Sequence, residues 1–166
     1  IFGGFAMLNE LIIRDINPSE ISQVHKLISE TFHSHVSPDY SSKGATVFLE
    51  YIETEKIEER LGKGHCMLVA VDKNKGIIGV IELREYNHMS LLYVEPEFHN
   101  KGIAKKMLKK AIKICKKMNS NLSFITANSS PYAVKIYEKL GFKKKDVEKN
   151  SLGIPYTPME LNVDWY

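Results

Sequence analysis

A chain of 166 residues is enough for one ordinary domain and too short for two; at about 150 residues a domain already buries roughly 70% of its unfolded surface. With 43% hydrophobic, 26% charged and 10% aromatic residues, and only 10 Gly and 6 Pro, the composition is globular and excludes disordered, collagen-like and coiled-coil chains. No apolar run approaches the roughly 18 residues of a bilayer span. Cys66 and Cys115 are too few for a disulfide framework and form no CxxC pair, so a reducing cytoplasm is the expected setting. The net charge of +3 is mild but unevenly placed, because eight lysines (101, 105, 106, 109, 110, 113, 116 and 117) fall within one stretch of 17 residues. Such a face is either solvated or turned to an anionic partner, phosphate or nucleic acid.

Residues 1–6 lack a basic leader and read as a remnant or extension ahead of a natural start at Met7, not as a signal peptide. Leu11 to Ile16 predicts a first strand, and Asn17-Pro18-Ser19-Glu20 is a capping sequence with Pro at the first helical position. Ile21, Val24, Leu27, Ile28 and Phe32 then follow at helical spacing. His33 to Gly44 is polar and reads as a loop, before a second helix marked by Val47, Phe48, Tyr51 and Ile52 and a further turn or two through Ile57 and Leu61. Cys66 to Val71, Ile77 to Arg84 and Met89 to Val94 are apolar or β-rich runs joined by short turns, an antiparallel meander. From Gly102 the helical period returns, with Ile103, Met107, Leu108, Ala111, Ile112, Cys115 and Met118 on one face and the lysines opposite. Leu122 to Ala127 is another strand, Ser130-Pro131 opens a helix that Gly141 ends, and Phe142 to Val147 and Pro158 to Val163 are closing strands. The order β-α-α-β-β-β-α-β-α-β-β is that of a single α+β domain.

The junction from Leu91 to Ala104 carries the chemistry. A strand ends, a tight turn follows, and a helix begins with unpaired N–H groups and the positive end of its dipole facing the turn, an arrangement that binds anions. Gly102 permits close backbone approach, and Asn100 tolerates left-handed geometry. His33 and His35 are not at helical metal spacing and have no carboxylate pattern nearby, so no metal site is expected.

His99-Asn100-Lys101-Gly102-Ile103-Ala104 resembles the acyl-CoA pyrophosphate loop, Gln/Arg-x-x-Gly-x-Gly/Ala, of the GNAT N-acetyltransferase superfamily. Leu92-Tyr93-Val94-Glu95-Pro96 fits that family's central strand and its exit. Ser130 to Phe142 is similar to its Asn-x-x-Ala-x-x-x-Tyr-x-x-x-Gly-Phe element. The element order matches from Leu11 to Val163. The resemblance implies one acetyltransferase domain over 7–166, built on a mixed, mostly antiparallel β-sheet flanked by helices. It also implies acetyl-CoA as co-substrate, held by Leu92, Tyr93, Val94, His99, Asn100, Lys101, Gly102, Ile103, Ala104, Lys105, Asn128 and Ser130. Two positions depart from the pattern: His99 replaces Gln or Arg, and Ser130 stands where Asn is common, with Asn128 a substitute contact.

The implied reaction moves an acetyl group from a thioester to a primary amine of a small molecule or peptide. An alkyl ammonium of pKa near 10 is about one part in a thousand free base at pH 7, so a proton acceptor helps. His88 occupies the position of a general-base Glu in histone-acetylating relatives, and Glu82 is a second candidate whose other reading is a surface carboxylate. Tyr137, four residues before Gly141, matches a tyrosine that protonates the departing thiolate. A backbone N–H near Leu92 to Val94 would meet the oxyanion. Cys66 and Cys115 read as packing residues, so direct transfer without an acyl-enzyme is expected. The long loop through Tyr40 and the second helix through Tyr51 line the acceptor side in relatives. A non-catalytic acyl-CoA sensor or partner module is the alternative, and nucleic-acid binding by the lysine helix ranks last for want of interleaved aromatics. A homodimer through the closing strands stays open.

Overall fold

A computed structural model describes residues 11–166; the expectations for residues 1–6 and for a start at Met7 lie outside the described residues. The chain runs β1 (Leu11–Asp15), α1 (Ile21–Thr31), α2 (Ser42–Tyr51), α3 (Thr54–Gly62), β2 (Cys66–Asp72), β3 (Gly76–Arg84), β4 (His88–Val94), α4 (Ile103–Met118), β5 (Phe124–Ser129), α5 (Val134–Lys139), β6 (Lys143–Lys144), β7 (Lys149–Ser151) and β8 (Ile154–Asn162). One sheet carries them in the order β1-β2-β3-β4-β5-β8-β6, with β7 paired to β8. Every pairing is antiparallel except β4 with β5.

The near-continuous apolar strands follow from a sheet covered on both faces. Alternate residues of β2 point opposite ways: Leu68 and Ala70 meet Met107, Ala111 and Cys115 of α4, while Met67 and Val69 meet Val24 and Ile28 of α1 and Ile57 of α3. All six buried residues of α4 fall on one stripe, which leaves its lysines outward. Both cysteines are buried and free, as packing residues. Among the described residues no helix is long and apolar enough to cross a membrane.

Three local differences from the sequence reading have physical causes. The expected loop from His33 is a π-turn (Phe32–Val36) and a 3-10 turn (Ser37–Asp39), with α2 starting at Ser42. Phe32 and Val36, one turn apart, are both buried, so the apolar face of α1 continues past its regular end. The expected strand over 142–147 contracts to β6, and Val147 is 74% exposed. The last strand begins at Ile154, upstream of Pro158. The Pro158 carbonyl accepts the Lys145 N–H, so its backbone faces the β6 side and its missing N–H costs β5 no ladder bond.

Glu82 is a correction. It is not a surface carboxylate but fully buried, held by Arg60 of α3, whose Nε lies 2.7 Å from Oε1 and Nη2 3.3 Å from Oε2. His65 Nδ1 lies 3.1 Å from the same Oε1. Arg60 also donates to the Tyr51 carbonyl at 2.8 Å and lies over the Tyr51 ring at 3.9 Å. Glu82 sits on the inner position of a strand covered by α3, where a carboxylate survives only if paired.

Removing one partner of this pair strands the other charge in the core. Glu82→Leu is expected to cost about 3–5 kcal/mol, and Glu82→Leu with Arg60→Met less than the sum of the two single changes, by urea unfolding. At the start of α1 the Glu20 carboxylate accepts the Asn17 N–H at 2.9 Å and pairs with Arg14 at 2.6 Å. Those bonds, led by Arg14, hold it at about 2 against an ordinary 4.5. The stabilisation is therefore complete above the ordinary value and lost as pH falls through the lower one. Because the pair borders solvent, Glu20→Gln is expected to cost about 1 kcal/mol at neutral pH. Unfolding curves of the two proteins should converge as pH falls through about 2, where the native carboxylate takes up its proton.

Candidate active site

β4 and β5 pair only at His88↔Thr126 and Met89↔Ala127 and then separate. Just past that pairing, Ser90 is an extra residue in β4: Leu83 faces Met89 and Glu82 faces Leu91, with Ser90 unpaired between them. A bulge of this kind shifts the alternation by one residue and sharpens the bend of the strand. Beyond it Leu91 and Tyr93 turn to the α1 face, and Leu92 and Val94 to the α4 face. On its β5 side, β4 from Ser90 onward has no strand beside it among the described residues, and that edge and the N-terminus of α4 line one opening.

The turn at that end is built by two left-handed residues, Asn100 at φ 59° and Gly102 at φ 75°. Gly102 is required by its φ: a Cβ there would meet nothing within 4 Å, so the space beside it is open. The first turn of α4 carries no acidic residue. His99 Nε2–H donates to the Val94 carbonyl at 2.6 Å and ties the turn to the end of β4. Ser130 Oγ accepts the Ala133 N–H at 3.3 Å, so it caps a turn that precedes α5 and does not begin the helix itself.

Strand separation and turn enclose a cavity of about 530 Å³. Of the residues singled out from sequence, Leu92, Tyr93, Val94, His99, Asn100, Gly102, Ile103, Ala104, Lys105, Asn128, Ser130 and Tyr137 all line it. Lys101, Glu82 and His88 do not. The Lys101 ammonium lies 5.0 Å from the Phe98 ring centroid, out on the surface. Glu82 is sealed behind Arg60. His88 stands where β4 and β5 are still paired, with Nδ1 2.8 Å from Thr126 Oγ1. Burial, then the nearby Arg84 guanidinium, holds His88 below the ordinary histidine value, against an opposite pull from Glu85.

The Tyr137 hydroxyl is kept protonated by burial and, secondarily, by Tyr40. Burial also raises Tyr93 and pushes Tyr40 up to about 12. Sequence reasoning missed Thr31, Val36, Ser90 and Tyr132 on the wall, and it read Phe48 only as a helix residue. Ser90 had one signal, a hydroxyl inside an apolar strand. Thr31 ends α1, Val36 lies in the segment after it and Tyr132 in the turn before α5, which only the fold brings to the cavity.

A family model described as an acetyltransferase (GNAT) domain matches residues 36–163. An uncharacterized N-acetyltransferase of Escherichia coli, YafP, is 24% identical over 136 residues, covering 82% of this chain and 83% of the relative. The PaiA N-acetyltransferase of Thermoplasma acidophilum, solved in complex with coenzyme A, superposes with a TM-score of 0.76 at 21% identity, over 93% of this chain and 99% of that one. The spermidine N-acetyltransferase of Vibrio cholerae, solved with CoA and spermine, gives a TM-score of 0.62 at 22% identity, over 92% and 95%. The family model spans the strand separation, the turn before α4 and the Tyr137 helix, and the chain belongs to the GNAT family of acetyl-CoA-dependent acetyltransferases.

Proposed function

We propose that the protein transfers the acetyl group of acetyl-CoA directly to the nitrogen of a primary amine. The observation that carries this reading is a single cavity that joins the free edge of β4, the N-terminus of α4 and the Tyr137 side chain. The co-substrate suits that cavity. Free N–H groups at α4 and the open space at Gly102 accept a pyrophosphate, and Lys105 adds positive charge on the wall. The pantetheine arm extends the sheet between β4 and β5, where peptide groups have no strand partner. Acetyl-CoA supplies the activated carbonyl. Peptide N–H groups of β4 past the Ser90 bulge meet the developing oxyanion.

Tyr137 is the acid. A phenol held neutral by burial can give its proton to the leaving thiolate sulfur and is not lost to solvent. His88, held neutral and off the cavity wall, takes the amine's proton through water. Glu82 is assigned a structural role, since Arg60 and His65 occupy both of its oxygens. Both thiols lie in the core away from the cavity, in keeping with direct transfer.

Titration calorimetry with acetyl-CoA tests the coenzyme site: the native chain should bind, and Gly102→Glu, which sets a carboxylate where the pyrophosphate lies, should not. Tyr137→Phe should lower kcat about 100-fold, the size of a general-acid contribution, while acetyl-CoA affinity changes less than about threefold. A base must be deprotonated to act, so native kcat/KM should fall as pH drops through a value below 6.5, the ordinary histidine value from which His88 is lowered. In His88→Gln that limb should move up toward the amine's own titration. A profile unchanged by the substitution removes His88 from the proton path.

A further inference from the structure

Among the described residues that line the cavity there is no aspartate or glutamate. Its cationic side chains are Lys105 and Lys139. Glu82 is turned into the core onto Arg60, and Asp39, beside Tyr40 in the chain, is exposed and off the wall. The end of the cavity away from α4 is aromatic instead. Phe48 stacks on Phe32 with centroids 4.4 Å apart, and Tyr40 and Tyr93 each approach the Phe48 ring at 6.3 Å.

The chain that carries Tyr40 is tied to the C-terminal hairpin. The Ser41 N–H donates to the Gly153 carbonyl at 3.0 Å, which fixes the residue next to Tyr40 onto the β7–β8 turn. Neither glycine at that contact has room for a side chain. A Cβ on Gly44 would lie 2.2 Å from the Gly153 oxygen, and one on Gly153 would lie 1.8 Å from Ser41 Oγ. The main chain beside Tyr40 is therefore set by a backbone-to-backbone contact, and the Tyr40 ring rests edge-on against Phe32 at 5.3 Å.

We propose that the acceptor is an arylalkylamine, a monoamine with a flat apolar body, and that Phe48 and Tyr40 select it against polyamines. The inference rests on the N-acetyltransferase reading and narrows its substrate. An aromatic body recovers in contacts with Phe48, Tyr40 and Tyr93 what it loses in hydration. An apolar wall without carboxylates also disfavours the ammonium form and so favours the neutral amine that attacks. A polyamine brings a second ammonium that finds no carboxylate among the described residues of the wall. In the reaction the amine nitrogen bonds to the acetyl carbon as the carbon–sulfur bond breaks. One N–H proton leaves the nitrogen through water to His88, the thiolate sulfur takes a proton from Tyr137, and the proton held on His88 returns through water to the Tyr137 phenolate, giving the amide and coenzyme A thiol.

The test measures thiol release by the full chain with acetyl-CoA and, in turn, phenethylamine, spermidine and a lysine-containing peptide. Phenethylamine should exceed spermidine in kcat/KM by at least about 30-fold, the range a cavity built for one side-chain class achieves. Phe48→Glu should cut phenethylamine turnover at least tenfold and raise that of spermidine; Tyr40→Glu, on a separate element, should shift the ratio the same way if Phe48→Glu fails to fold. Turnover of spermidine or the peptide at or above that of phenethylamine overturns the inference and leaves the transferase reading standing. So does acetyl-CoA binding with no phenethylamine turnover. Absence of acetyl-CoA binding by the native chain overturns the reading beneath it.

Discussion

The separation of β4 from β5 after two paired residues is the constraint on which the rest of the structure depends. A sheet that opens in its middle leaves peptide groups without partners inside the protein, which is costly unless something fills the gap. Here the gap is kept open by covering both faces: α1 and α2 close one side, α4 and α5 the other, and the two core clusters meet at β4. The Ser90 bulge makes that meeting possible. It changes which face each following residue of β4 serves, so one strand packs against helices on both sides and still presents its edge to the cavity.

Charge is distributed to suit this opening. Glu82, fully buried in the sheet, pairs with Arg60 and lies 3.1 Å from His65 Nδ1 on the α3 side, away from the cavity. What remains on the cavity wall among the described residues is cationic or neutral: Lys105 and helix N–H groups at the α4 end that suits an anion, and the phenols and apolar ring of Tyr40, Tyr93 and Phe48 beyond them. The low polarity of that second end keeps the phenols protonated and disfavours an ammonium by the same desolvation. One physical cause thus bears on the acid and on the amine together.

The connection between α1 and α2 completes the enclosure. Phe32 and Val36 anchor it from the core, and the Ser41–Gly153 contact pins its far end to the C-terminal hairpin. Residues more than a hundred positions apart thus set where Tyr40 lies. Gly44 matters for the absence of a side chain, Gly102 for its left-handed φ, and Gly153, at φ 84°, for both.

The sequence by itself determined the elements and the turn before α4. Strong periodicity in α1, α4 and the β2–β4 meander reflects burial that each residue experiences locally, and left-handed turn geometry leaves Asn and Gly as a readable mark at Asn100 and Gly102. Short exposed strands such as β6 and β7 bury too little to leave such a pattern. Only the tertiary structure decided that β4 and β5 part at Ser90, that Glu82 is buried on an arginine 22 residues away, that His88 stands behind the cavity wall, and that Phe48, Tyr40 and Tyr93 share one end of it. Each of these depends on contacts between residues distant in sequence, whose energies come from burial and charge pairing across elements, and a linear pattern records the type of a residue but not the partner it will meet.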